Sequence, residues 1–419
     1  MIKPFENVMA LFLSLVILLT GHGLQLTLVP LYADTLGFSS LLIGFAGSAY
    51  FLGFVIGCLS IPRLVCAVGH IRMYLVLAST ANAALLVLGL IESPLFWMLA
   101  RFTTGWALAG LYMIFESWLN EQAGADNRGL ILSTYSLLTL LAIGAGQLLI
   151  GLDLEFTELI TLGAILLALG AIPVGVTRSA APAPLPLAGL QFRRVVGSSQ
   201  VAVLGAFVAG FVTSGFWALG PLVATAHGVP VERVGLFMAL TIVGGAITQL
   251  PAGRLSDRID RRLVILLLVA VAVIICAAAI LLTGRYGLVI YPVMMLFGAS
   301  TFPLYSICLA HANDNSQLNL LQVGSVILLM QSLGAVIGPP IIAATIQRLE
   351  SGFFLASGAA LIAFTFWLLV RLVYHDVDRH FFEPFHAVPR TTQEALELSQ
   401  PDAQALPQID ALASTGESC

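Results

Sequence analysis

Twelve stretches of mostly apolar residues follow one another along this chain, separated by short segments that hold nearly all its charge. A helix needs about 20 such residues to cross a hydrocarbon core of about 30 Å. The stretches cover approximately residues 8 to 32, 41 to 62, 73 to 91, 94 to 118, 129 to 151, 157 to 177, 199 to 224, 234 to 252, 263 to 283, 286 to 310, 320 to 346 and 353 to 373. Composition agrees: 59% of the residues are apolar and 10% charged, against roughly 45–50% and about 25% in soluble domains. The first stretch has the look of a secretory signal, but its apolar run continues past Thr20 to Leu31 with no small-residue cleavage site after a short core. It is kept as a helix.

Basic residues set the expected orientation, because cytoplasmic loops retain Lys and Arg. Lys3 and most of the arginines fall on the side of the N-terminus, whereas Arg233, Arg285 and Arg348 fall on the other. Both termini are therefore expected in the cytoplasm, with the chain in a bacterial inner membrane. A net charge of −4 without a basic block excludes the footprint that nucleic acid requires. The five cysteines, Cys58, Cys66, Cys276, Cys308 and Cys419, form no CxxC pair and no Cys/His cluster, so neither a metal site nor a disulfide framework is expected. No cofactor is expected either.

A gap-free shift of 191 places Gly37 on Gly228, Gly44 on Gly235, Gly53 on Gly244 and Arg63 on Arg254. Four coincidences at one offset, straddling the midpoint, point to a duplicated six-helix unit. The expected organisation is an N-terminal bundle over 1–177, a Pro/Ala-rich cytoplasmic linker over 178–198, a C-terminal bundle over 199–374 and a disordered acidic cytoplasmic tail over 375–419.

The segment Gly253-Arg254-Leu255-Ser256-Asp257-Arg258-Ile259-Asp260-Arg261-Arg262 resembles the G-x-x-x-D-R-x-G-R-R cytoplasmic gate motif of the major facilitator superfamily, with Asp260 in place of the second glycine. The matching stretch of the first half, Pro62 to Arg72, keeps Gly69 and Arg72 but has Pro62, Cys66 and Ala67 where glycine, aspartate and arginine would stand. Arg101-Phe-Thr-Thr-Gly105-Trp-Ala-Leu-Ala109 resembles the family's R-x-x-x-G-x-x-x-A stretch in the fourth helix. The Gly-Pro motif typical of proton-driven exporters is missing from the fifth helix, although a related Gly338-Pro339-Pro340 lies in the eleventh. The Arg63, Gly69-His-Ile-Arg72 and His311-Ala-Asn-Asp314 stretches are similar to a poorly characterised bacterial branch of the superfamily. The resemblance implies an all-α membrane protein of twelve transmembrane helices in two pseudo-symmetric six-helix bundles, working as a monomer around a central site between helices 1, 4, 7 and 10.

Three ionisable residues lie inside apolar stretches: His22 in helix 1, and Arg101 and Glu116 in helix 4. A charge at bilayer depth costs at least ~2.5 to 3.5 kcal/mol, so such residues are functional candidates by default. At about 100° per residue, Arg101, Gly105, Leu108, Tyr112 and Glu116 share one face, while a rise of about 22 Å keeps Arg101 and Glu116 too far apart to pair. Arg101 reads either as an attractor of an anionic or proton-carrying group or as a structural hub. Glu116 reads either as a proton carrier or, slightly favoured, as a latch to Arg128 or Arg72. His22 and Gln25, three residues apart, share a face. Trp217, beside Phe216, and Tyr305 are candidates for an aromatic cavity wall. Gln147, Gln249 and Gln331 read as scaffold residues that hydrogen-bond between helices. Gly69, Arg72, Arg128, Gly253, Asp257, Arg258, Arg261 and Arg262 form the expected cytoplasmic gate, in which Asp257 supplies a breakable charge contact.

The expected function is secondary active transport of a small organic solute by alternating access, coupled to protons. A multidrug/proton antiporter is the alternative, and a non-transporting sensor or scaffold a remote one. An enzyme is not expected: no phosphate loop, Ser/His/Asp set or HExxH pattern occurs.

Overall fold

A computed structural model of the chain describes residues 9–122, 128–176, 191–282 and 287–374, the side chains at 128, 129, 132 and 374 excepted. The expected tail and residues 178–190 of the expected linker lie outside the described residues. Among the described residues there are twelve helices long and apolar enough to cross a membrane. They are α1 (Met9–Thr35), α2 (Ser40–Val68), α3 (His70–Leu90), α4 (Pro94–Gln122), α5 (Arg128–Leu148), α6 (Phe156–Gly175), α7 (Gln200–Ala226), α8 (Val231–Ser256), α9 (Arg261–Leu282), α10 (Gly287–Asp314), α11 (Leu320–Ile346) and α12 (Gly352–Tyr374). A further short helix, Phe192–Ser198, precedes α7.

Two departures from the expected stretches bear on the sites. Helix α8 continues to Ser256, so Asp257 is its capping residue rather than a loop residue several positions on. Helix α10 is not continuous: Ile290–Thr301 and Leu304–Asp314 are separated at Phe302 and Pro303. Proline has no N–H to give and its ring crowds the carbonyl four residues back. Pro30, Pro62, Pro173, Pro221 and Pro251 nonetheless sit inside unbroken helices. Packed neighbours and local adjustment absorb such positions in membrane helices.

The duplication is visible in the packing. Helices α1 and α7 end in the same turn: Gly37 and Gly228 both have φ 77. Each donates its N–H three residues back, to Asp34 and Thr225, while the next residue donates five back, to Ala33 and Ala224. Glycine enters this left-handed region without a Cβ penalty. Helix α2 crosses α4 as α8 crosses α10. A Cβ on Gly53 would collide with the Phe102 carbonyl, and one on Gly105 with that of Tyr50; in the second half Gly244 meets Met295 and Gly298 meets Thr241 in the same way. The absent side chains let the paired helix backbones touch.

Within the halves, α1 packs on α5 and α6, and α3 on α4 and α6, as α7 packs on α11 and α12, and α9 on α10 and α12. The fold is two pseudo-symmetric six-helix bundles, and α1, α4, α7 and α10 are the most buried of the twelve helices. Large apolar side chains such as Leu59, Leu90, Ile247, Leu281 and Phe366 cover the outside.

Because successive helices alternate in direction, the start of α2 and the ends of α7 and α11 lie at the end of the molecule away from the N-terminus. That is where the bundles press together. Gly44 packs on Pro339 and Ala343, Gly47 on Ala218, and the Ser48 hydroxyl donates to the Val336 carbonyl at 2.5 Å. At the same end Gly235 lies against the Gln147 carbonyl and Gly151 against that of Glu232.

Candidate functional site

Directly beneath this closure lies a cluster of polar side chains in the first bundle. Arg101, two turns into α4, is buried because it lies on the inward face of the helix, while Leu95, Phe96 and Leu99 of the same turns are exposed. Its guanidinium carbon lies 4.5 Å from the centroid of the Tyr50 ring on α2, within reach of a cation–π attraction. The Tyr50 hydroxyl is 3.4 Å from Nε2 of His22 on α1, and the two rings stack at 5.9 Å and 17°. The other nitrogen of His22, Nδ1, lies 3.5 Å from Oε1 of Gln25. These are long, weak contacts. Nη1 of Arg101 and Nε2 of Gln25 are buried without a hydrogen-bond partner. Arg101 also lines a small space of about 20 Å³ together with Gly47 of α2 and Ala218 of α7, so it reaches the boundary between the bundles.

From this cluster an aromatic series descends between α2 and α4. Tyr50 and Phe54 have ring centroids 6.5 Å apart, and Phe54 and Tyr112 6.3 Å. Glu116, one turn further along α4, is fully buried and accepts from the Tyr135 hydroxyl of α5 at 2.7 Å. Arg72 is exposed, and the side chain of Arg128 lies outside the described residues. In the second bundle Trp217 is half-buried and stacks on Phe302 at 6.0 Å and 25°, with Phe216 buried behind both. Phe302 stands at the break in α10. Tyr305 is buried one turn on.

The structure thus brings His22, Gln25 and Arg101 together around Tyr50. Tyr112 follows through Phe54, Glu116 joins α5, and Trp217 stacks on Phe302 in the second bundle, one residue before the Ala218 that shares the space beside Arg101. Tyr50 carries no sequence signal, since it sits in an apolar helix whose faces cannot be assigned from one strand of text. Gln147 departs from the expected scaffold role: it is buried, and neither amide atom has a partner. Oε1 of Gln331 is likewise unpaired.

The charged segment after α8 lies at the end that carries the N-terminus. Arg261, at the start of α9, is 1% exposed. Its Nε is 2.5 Å from Oδ2 of Asp314, Nη1 is 3.2 Å from the Ser256 hydroxyl, and Nη2 is 3.5 Å from Oδ1 of Asp257. Gly253 is buried, and its carbonyl accepts from the Ser256 hydroxyl and the Asp257 N–H. Asp260 precedes α9 and accepts from the Arg262 N–H at 2.9 Å while its other oxygen pairs with Arg262 Nη2 at 2.8 Å. That is the work of a helix N-cap. Burial would raise the Asp260 carboxyl, but the hydrogen bonds and charge of Arg262 prevail and hold it below the ordinary 3.8. Arg258 is exposed. Gly69, with φ 87, turns the chain from α2 into α3. Each of these ion pairs is internal to the second bundle. Asp314 and Ser256 were not singled out as partners for Arg261, because their nearness depends on how α10 packs on α9.

The profile of the Major Facilitator Superfamily matches residues 11–319 and 202–398. An uncharacterized MFS-type transporter, YcaD, of Escherichia fergusonii is 27% identical over 376 residues, covering 88% of this chain and 96% of its own. Among solved structures, the nucleoside transporter NupG superposes with a TM-score of 0.73 at 14% identity, over 88% of this chain and 100% of its own. The E. coli fucose:proton symporter FucP superposes with a TM-score of 0.53 at 14% identity, over 88% and 98%. The fold is therefore shared with these transporters, and the chain belongs to the Major Facilitator Superfamily.

Proposed function

We propose that this chain is a proton-coupled secondary transporter of a small organic solute, working by alternating access in a bacterial inner membrane with both termini in the cytoplasm. The observation that carries this reading is the position of the His22–Tyr50–Arg101 cluster, at the boundary of two bundles and directly under their contact at one end. A site between two repeats that rock about it is what alternating access requires. The reading is of a carrier that releases its solute chemically unchanged. The kinship with MFS-type transporters supports transport, and a solved relative in fold that is a fucose:proton symporter makes a proton the natural coupling ion.

In this reading the end that carries the N-terminus is the cytoplasmic mouth, and Asp257, Arg258, Arg261 and Arg262 exchange contacts as it opens and closes. His22 and Glu116 are the groups available to move a proton, since both are buried and each touches a tyrosine hydroxyl.

The test uses purified protein in liposomes with a trapped pH dye and a panel of sugars, nucleosides, organic acids, amino acids and amphiphilic amines. Acidification of the lumen on adding one compound marks symport, alkalinisation antiport. A panel that moves its solutes without moving protons removes the coupling. If Glu116 carries the proton, Glu116→Gln retains solute exchange and loses uphill accumulation; retained accumulation leaves His22 as the carrier.

A further inference from the structure

The central cluster has more hydrogen-bond donors than acceptors and holds an uncompensated cation. Arg101 is 6% exposed, Nη1 has no acceptor, and among the described residues no carboxylate forms an ion pair with it. Its guanidinium lies over the face of a neutral ring, Tyr50. Through His22, whose ring stacks on Tyr50 and whose Nδ1 lies 3.5 Å from Oε1 of Gln25, the cluster reaches a second buried donor without a partner, Nε2 of Gln25. A buried guanidinium is stable only when paired and hydrogen-bonded, so the arrangement lacks one acidic component.

Across the bundle boundary the surroundings change character. Ala218 of α7 shares the small space beside Arg101, and its neighbour Trp217 presents a half-buried indole stacked on Phe302. On the side of the first bundle, Phe54 and Tyr112 continue the wall away from Arg101. The space between Arg101 and the bundle closure is about 20 Å³, room for a single water.

We propose that the transported solute is an organic monocarboxylate with an apolar or aromatic body. Its carboxylate pairs with Arg101 and accepts from Gln25, and its body lies between the Tyr50–Phe54–Tyr112 wall and the Trp217–Phe302 stack. One arginine matches one negative charge, and among the described residues no second arginine or lysine stands in the cluster. A cationic amine would face Arg101 across a site of low polarity, where like charges repel strongly. Planar bidentate pairing with a carboxylate is the geometry a guanidinium offers. The inference rests on the transport reading for the word solute, but the anion site can be tested without it.

Detergent-purified full-length protein is titrated with phenylacetate, 1-naphthoate and octanoate, each beside its neutral amide and its amine, and with chloride. Binding is read from the rise in thermal unfolding midpoint. At least one acid is expected to bind about tenfold or more tightly than its amide, the order that a charge-assisted pair supplies. Arg101→Gln should reduce that preference to less than about twofold, and Arg101→Lys should retain part of it. The proposal is overturned if amides or amines bind as tightly as the acids, if chloride alone binds, if no acid binds, or if the preference survives in Arg101→Gln. Flux of the bound acid into liposomes separates the two readings. Arg101-dependent binding without flux leaves the anion site standing and removes transport; flux of neutral or cationic solutes that persists in Arg101→Gln does the reverse.

Discussion

Arg261 and Asp257 are neighbours with unequal stakes. Arg261 and its partner Asp314 are 1% and 8% exposed, whereas Asp257 is 31% exposed and stands 3.5 Å away. Removing one member of a buried pair costs about 3–5 kcal/mol, because the other charge is left uncompensated. Arg261→Gln should therefore lower the thermal unfolding midpoint strongly, with Arg261→Lys recovering part of the loss. Asp257→Asn should cost less than about 1 kcal/mol yet slow turnover with solute affinity intact. An unchanged turnover would remove Asp257 from the gate. Asp260 has a different task. As the cap of α9 its replacement by Ala should cost about 0.5–2 kcal/mol. Since its carboxyl is held below the ordinary 3.8, the charged cap contributes fully above that value and is lost as pH falls through the lower folded-state value. The stability gap between the wild type and Asp260→Asn should stay constant from pH 8 to pH 5 (a range chosen about the ordinary carboxylate values) and close only in stronger acid.

At the scale of elements, the crossing of α2 on α4 fixes where the central cluster sits. Gly105 lies against the Tyr50 carbonyl, so the same contact that joins the helices places the Tyr50 ring over Arg101. Gly105→Val should push the helices apart, at about 1–3 kcal/mol or more, and weaken solute binding along with stability. Gly144→Ala provides the control, because a Cβ there meets nothing within 4 Å; alanine should leave stability unchanged or slightly raise it. Equal unfolding midpoints for the two variants would contradict the close approach. The existence of these helices was legible from apolar run length alone. Their ends and interruptions were not. The break at Phe302 and Pro303 cannot be told from the unbroken prolines elsewhere, because only neighbouring helices decide whether the freed backbone groups are satisfied.

For the whole molecule, the contact of the bundles at one end makes a mechanical prediction. Gly44 and Ala343 approach so closely that a Cβ on Gly44 would lie 2.7 Å from that of Ala343, inside the ~3.8 Å of a relaxed disulfide. In a background without the native cysteines, Gly44→Cys with Ala343→Cys should cross-link on mild oxidation after a small outward shift. Transport should then stop, and return on reduction. Flux that continues through the cross-linked protein would exclude rocking about the central site. The number of spans, the two-fold repeat and the family were written in the sequence, because apolar length, glycine spacing and the Gly253–Arg262 motif are local along the chain. His22, Gln25 and Arg101 could be listed from the same text as charges or polar groups in the wrong solvent. That they meet around Tyr50, that Arg261 is held by Asp314, and that Gln147 is left unpaired depend on which faces of α1, α2, α4, α5, α9 and α10 turn toward one another. A helix that is apolar on every side carries no periodic signal of its inward face, since lipid and protein interior reward the same side chains, and only the packed bundle decides it.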